Sequence, residues 1–197
     1  TNGKVKKFKV DNKRERFLSN EEVDLLLENT KFHTNVDRAC RLSLSSGARL
    51  STVLLVKKKD INISNRTVQL IDVKSGGESY VGYLHPKYFP DFDFLDDLKD
   101  NDLVVSHEGK SICYSRYQHI FKKIADPLFN VGLEKDDRKN RVVFHTLRHT
   151  FCSLLATNST PIVTIQRLVH HKDISSTLRY SKLTNESMFE QVEKAFN

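Results

Sequence analysis

Residues 144 to 184 read FHTLRHTFCSLLATNSTPIVTIQRLVHHKDISSTLRYSKLT, a stretch in which His145, Arg148, His171 and Tyr180 supply two imidazoles, a guanidinium and a phenol. Cleaving a phosphodiester without a metal needs a nucleophile in line with the leaving oxygen, cations around the charge that develops on the phosphoryl oxygens, and an acid for the leaving group. A phenol, a guanidinium and imidazoles are groups that could supply a nucleophile, a cation and proton carriers. Two more cations lie upstream: Arg49 in SSGARLSTVLLVKKKDI and Lys74 in VQLIDVKSGGESYVGYL.

From about residue 16 to residue 184 the chain resembles the catalytic domain of the tyrosine recombinases, the phage integrase family. The family pattern is H-x-x-R, then L-G-H, then a tyrosine nine residues later. His145 and Arg148 fill the first motif, His171 the second, and Tyr180 stands nine residues on. Arg49 matches the family's first arginine, after a small-residue turn, and Lys74 its hairpin lysine. RFLSNEEVDLLLENT matches its first catalytic-domain helix. At two positions the chain departs from the pattern. Thr52 stands where an acidic residue usually follows the first arginine, and L-G-H reads Val169-His170-His171. The spacing to Tyr180 favours His171 over His170.

The resemblance implies a role for each residue. Arg49 and Arg148 would clamp two non-bridging oxygens, because guanidinium forks bind phosphate bidentately and stay charged. His171 would add a third donor. Tyr180 would attack phosphorus and leave a 3′-phosphotyrosyl link with a free 5′-hydroxyl, with His145 as base or proton relay and Lys74 as acid. Because the link conserves the bond energy, rejoining would need no cofactor. Other residues have plainer readings. His149, beside Phe151 and Cys152, reads as a buried core histidine, and Tyr83 and Tyr117 as packing residues. His145 and His149 have the i, i+4 spacing of zinc ligands, but Thr146 stands where a zinc protease needs glutamate, so no metal is expected.

The elements that must position these residues are legible in outline. Ser19 to Glu22 forms a capping box that starts a helix through about Thr30, and Val36, Cys40 and Leu44 mark a second helix from Thr34 to Ser45. Gly47 breaks it. A third helix is expected from Arg49 to Val56, its backbone N–H groups helping Arg49 to hold an anion. Alternating, β-branched residues predict strands at 61–63, 67–73 and 80–84, with Lys74 on the turn before Gly76 and Gly77. Helices follow at 114–129, 146–156 and 161–169, then a short one bearing Tyr180. The fold class is mainly α with a small three-stranded antiparallel sheet (α+β), which is the catalytic-domain fold that the resemblance implies.

The chain has 197 residues, enough for one well-buried core. The net charge is +7, of which residues 1–16 carry +5: seven Lys or Arg against Asp11 and Glu15. This stretch reads as a mobile linker arm, with Lys4, Lys6, Lys7, Lys9, Lys13 and Arg14 as candidate phosphate contacts. Residues 85–102 carry six aspartates against two lysines and should face away from DNA. Residues 17–184 form the expected catalytic domain. Residues 185–197, with Met188, Phe189, Val192 and Phe196 on one side, form an amphipathic tail that would pack on its own domain or, as the resemblance implies, dock on a neighbouring protomer. Cys40, Cys113 and Cys152 read as buried reduced thiols, and no apolar run approaches the ~20 residues of a membrane span.

The resemblance implies the catalytic half of a site-specific recombinase or integrase of a phage or mobile element, cut from a longer chain and working in the bacterial cytoplasm at the nucleoid. The expected partners are double-stranded DNA, further copies in a synaptic tetramer, and accessory DNA-bending proteins. The rival readings are a type IB topoisomerase, which reseals the original strand, and a DNA-binding assembly factor that keeps the fold without catalysis.

Overall fold

In the computed structural model the described residues are 15–107 and 110–183. The six basic arm residues and the tail from 185 onward lie outside them. The chain is anchored from its first described residues: the backbone N–H groups of Glu15 and Arg16 both donate to the carbonyl of Lys139, and Arg16 pairs with Glu22. Helix α1 (Asn20–Thr30) opens with the expected capping box. Ser19 Oγ accepts from the Glu22 N–H at 3.2 Å, and Glu22 returns a carboxylate to the Ser19 N–H at 2.9 Å. Helix α2 (Thr34–Ser46) packs on α1 and closes at Gly47 in the left-handed conformation.

Helix α3 is shorter than the sequence suggested, Leu50–Val53 rather than a run to Val56. Tertiary pairing ends it: the Val56 carbonyl accepts from the Val104 N–H at 2.9 Å, and Lys57 bridges to Leu103. Strands β1 (Ile61–Asn62), β2 (Thr67–Asp72) and β3 (Glu78–Tyr83) form the expected antiparallel sheet in the order β1-β2-β3, with Leu70 opposite Tyr80 and Asp72 opposite Glu78. A second, two-stranded ladder joins β4 (Ser106–His107) to β5 (Lys110–Ser111). In the acidic segment Phe89, Phe92 and Leu95 enter the core while the aspartates, apart from the half-buried Asp102, stay exposed.

Helix α4 (Tyr114–Phe129) buries Tyr117, Phe121 and Ala125, with Ile124 only partly covered. Cys113 caps it and is exposed, so only Cys40 and Cys152 match the expectation of buried thiols. Helix α5 (Phe144–Thr157) runs through the middle of the domain and packs on α2, α4 and α6 (Ile162–Leu168). Pro161 precedes α6 as its cap instead of occupying its first turn. The short α7 (Ser175–Leu178) ends before Tyr180, which stands between α7 and the 3-10 turn Ser181–Leu183. The main core spans Leu18 to Leu147. A smaller apolar cluster joins Cys152, Ala156, Ile165 and Val169 to the ring of Tyr180. Among the described residues no helix is long and apolar enough to cross a membrane.

Candidate active site

Arg148 organises the site. It lies on α5 with 2% of its surface exposed, so its charge needs polar partners to replace water. Nη1 donates to the Gly47 carbonyl at 2.8 Å and Nη2 to the Val169 carbonyl at 2.7 Å. A guanidinium has five N–H donors, so others remain for an anion. One side chain thus ties the turn before Arg49 to the turn before His171. Gly47 is required at this junction: its φ is +68°, and a Cβ there would meet Phe151 at 2.6 Å and Val169 at 2.7 Å.

Arg49 precedes α3, and its Nη1 donates to Asp72 Oδ2 at 2.5 Å. Because α3 has four residues, its dipole adds little, and an anion at Arg49 would rest on the guanidinium itself. Asp72 is fully buried at the end of β2. Sequence reasoning missed it, although a signal was available: in a strand of period two, Asp72 shares the inward face of Val68 and Leu70, where a carboxylate needs a cation. Thr52 is buried too, and among the described residues its Oγ1 has no hydrogen-bond partner.

The two adjacent histidines point to different tasks. His170 adopts φ +53°, stacks on Tyr80 with ring centroids 4.9 Å apart, and sets Nε2 3.4 Å from Glu78 Oε2. It faces the hairpin. His171 is bracketed by Gln166: its N–H donates to the Gln166 carbonyl at 3.0 Å, and Gln166 Nε2 donates to the His171 carbonyl at 3.1 Å. Its Nδ1 lies 2.8 Å from Thr177 Oγ1. When the hydroxyl donates, the ring proton sits on Nε2 and the ring presents an N–H donor while neutral. Burial, then the charges of Arg148 and Arg49, push the His171 pKa down to about 3. Arg148 is likewise held below its usual value, by burial and then by Arg49. The two arginines and His171 therefore lie within electrostatic reach of one another, and together they favour negative charge.

Tyr180 is 5% exposed, and its Oη lies 2.6 Å from His149 Nδ1. Burial, and next the neighbouring Cys152, hold the phenol well above its usual pKa, while Arg179 lies over the ring, 5.8 Å from its centroid. Burial also raises the Cys152 thiol to about 11. His149 is buried, as its apolar neighbours suggested, yet it is also the residue that holds the tyrosine. The sequence signal was present in the i, i+4 pair: the His145 and His149 rings meet edge to face at 4.9 Å. His145 is exposed and lies within electrostatic reach of His171. Lys74 is exposed on the 3-10 turn Val73–Ser75, two residues beyond Asp72. The structure therefore gathers Arg49, Arg148, His171 and His145, holds Tyr180 against His149 within electrostatic reach of Arg148, and leaves Lys74 on the turn after Asp72.

A helical domain with a three-stranded sheet, bringing two arginines, histidines and a tyrosine together from separate turns, has the architecture of a tyrosine recombinase catalytic domain. The same fold is seen in the catalytic domain of bacteriophage HP1 integrase (TM-score 0.65, 18% identity, 90% of this chain and 93% of that one). It is also seen in the Tn1549 transposon integrase in complex with circular intermediate DNA (TM-score 0.69, 18% identity, 96% and 67%). The chain belongs to the phage integrase family, whose model matches residues 16–187. Among curated proteins it is 26% identical to tyrosine recombinase XerA of Saccharolobus solfataricus over 80% of this chain and 49% of that protein. It is 27% identical to tyrosine recombinase XerD of Oceanobacillus iheyensis over 89% of this chain and 60% of that protein. The chain thus spans about half to three-fifths of these relatives.

Proposed function

We propose that the chain is the catalytic part of a site-specific DNA recombinase or integrase that cuts and rejoins strands through a 3′-phosphotyrosyl intermediate. The observation that carries this reading is that Arg148 ties the turn before Arg49 to the turn before His171, while Tyr180 is held by His149 from the same helix as Arg148. Two guanidinium groups and a neutral imidazole N–H suit the non-bridging oxygens of a phosphate and stabilise the extra charge of a five-coordinate transition state. Tyr180 Oη forms the bond to phosphorus as the bond to the 5′ oxygen breaks. Its proton passes to His149 and on to His145, which meets solvent. Because burial holds the phenol pKa high, proton loss accompanies attack instead of preceding it. Lys74 protonates the departing 5′ oxygen. A 5′-hydroxyl from another strand reverses the step, and no cofactor enters it.

The partners in this reading are duplex DNA, further copies in a synaptic tetramer, and accessory bending proteins, at the nucleoid of a bacterial cell. Lys4, Lys6, Lys7, Lys9, Lys13 and Arg14 lie along phosphates, and residues 185–197 dock on the next protomer. The decisive experiment is covalent capture on a pooled library of nicked duplexes, run on a denaturing gel beside Tyr180→Phe. The expected result is an adduct formed only with Tyr180. An adduct that persists in Tyr180→Phe overturns the assignment, and plasmid relaxation without strand exchange would favour the topoisomerase reading.

A further inference from the structure

We infer that Asp72 is the residue that positions Arg49, and that it makes the Lys74 turn and the first arginine a single mechanical unit. Three observations carry this. The carboxylate is fully buried at the end of β2 and meets Arg49 Nη1 at 2.5 Å. Thr52, one helical turn after Arg49 and the place where the resemblance leads one to look for an acid, holds a buried hydroxyl with no hydrogen-bond partner among the described residues. His170, which occupies the usual glycine position of the second motif, approaches the same carboxylate, its Nδ1 4.0 Å from Asp72 Oδ2, while its other nitrogen faces Glu78 across the hairpin. One departure from the family pattern thus lies beside Asp72, and the other leaves α3 without a carboxylate of its own for Arg49.

The physical consequence concerns geometry. An arginine just before a four-residue helix has several rotamers open to it, and a buried carboxylate selects one. The Gly77 N–H donates to the Asp72 carbonyl at 3.0 Å, so the backbone of the same residue closes the turn that carries Lys74. A shift of the hairpin therefore moves Arg49 and Lys74 together, and the phosphate clamp cannot form without bringing the acid.

This inference rests on the proposed reaction, so its test needs one measurement that does not. Single-turnover cleavage would be measured at saturating concentrations of those nicked duplexes that the wild-type protein captures. Asp72→Asn, nearly isosteric and uncharged, is expected to lower the rate roughly a hundredfold while DNA affinity changes little, because misplacing a clamp by about an ångström has that cost. Adding Thr52→Glu to Asp72→Ala is expected to recover part of the rate by supplying the carboxylate from α3. Independently of cleavage, the Arg49 guanidinium 15N–H signals, assigned with Arg49→Lys, should exchange slowly with water in wild type and fast in Asp72→Asn. Wild-type cleavage by Asp72→Asn, or unchanged guanidinium exchange, overturns the inference. Capture of no duplex by the wild type counts against the reaction, and the guanidinium signals still decide the role of Asp72.

Discussion

Replacing Arg148 with lysine keeps a positive charge and loses the fork that reaches two carbonyls at once. Either Gly47 O or Val169 O is then left without a partner in the interior, at a cost of about 1–3 kcal/mol, which chemical denaturation would measure. Arg148→Ala should in addition lower single-turnover cleavage on the order of a hundredfold or more, and unaltered cleavage would remove it from the site. The acid response of the domain follows from His171. Its folded pKa of about 3 lies below the unfolded value of roughly 6.5, so the unfolded chain takes up a proton that the folded one refuses. The neutral ring's contribution is complete above about pH 6.5 and is lost as the pH falls toward 3. His171→Gln should therefore flatten the fall in stability between those limits, and identical pH slopes in the two proteins would contradict that account.

At the scale of elements, the junction of α2, α3 and α5 is where a small change does most. Gly47→Ala places a methyl group against Phe151 and Val169 in a left-handed conformation. It should cost about 2–4 kcal/mol from strain and overpacking combined, read from the denaturation midpoint. Cleavage should fall further than stability alone explains, because the Gly47 carbonyl holds Arg148. Helical and alternating periodicities made α1, α4, β2 and β3 legible in the sequence, since each buries one regular face, and Val36, Cys40 and Leu44 marked α2, although its last turn is buried all round. The stop of α3 after Val53 was not legible, because it depends on Val104 arriving from far along the chain. The same limit applies within the site. His145, Arg148, His171 and Tyr180 stood out because their spacing is local, whereas Asp72 with Arg49 and His149 with Tyr180 are contacts through space.

For the molecule as a whole, the segments at the two ends carry predictions about assembly on DNA. Removing residues 1–14 should make the dependence of log affinity on log salt shallower, by up to about 5 if all six basic residues named above contact phosphates. An unchanged slope would mean that the arm stays in solvent. Deleting residues 186–197 should weaken assembly on DNA more than folding, as measured by native gel shift beside thermal melting; unchanged assembly would count against a docking tail. The two carbonyls that hold Arg148 have a consequence for how the protein is made. They belong to residues 47 and 169, which a ribosome adds far apart in time, and Arg148 itself is translated between them. A nascent or truncated chain that stops short of α6 holds Arg49 but cannot seat Arg148, and it lacks Tyr180 altogether. In the proposed reaction such a copy would have neither a seated Arg148 nor a nucleophile, so it could not cut DNA before synthesis is complete.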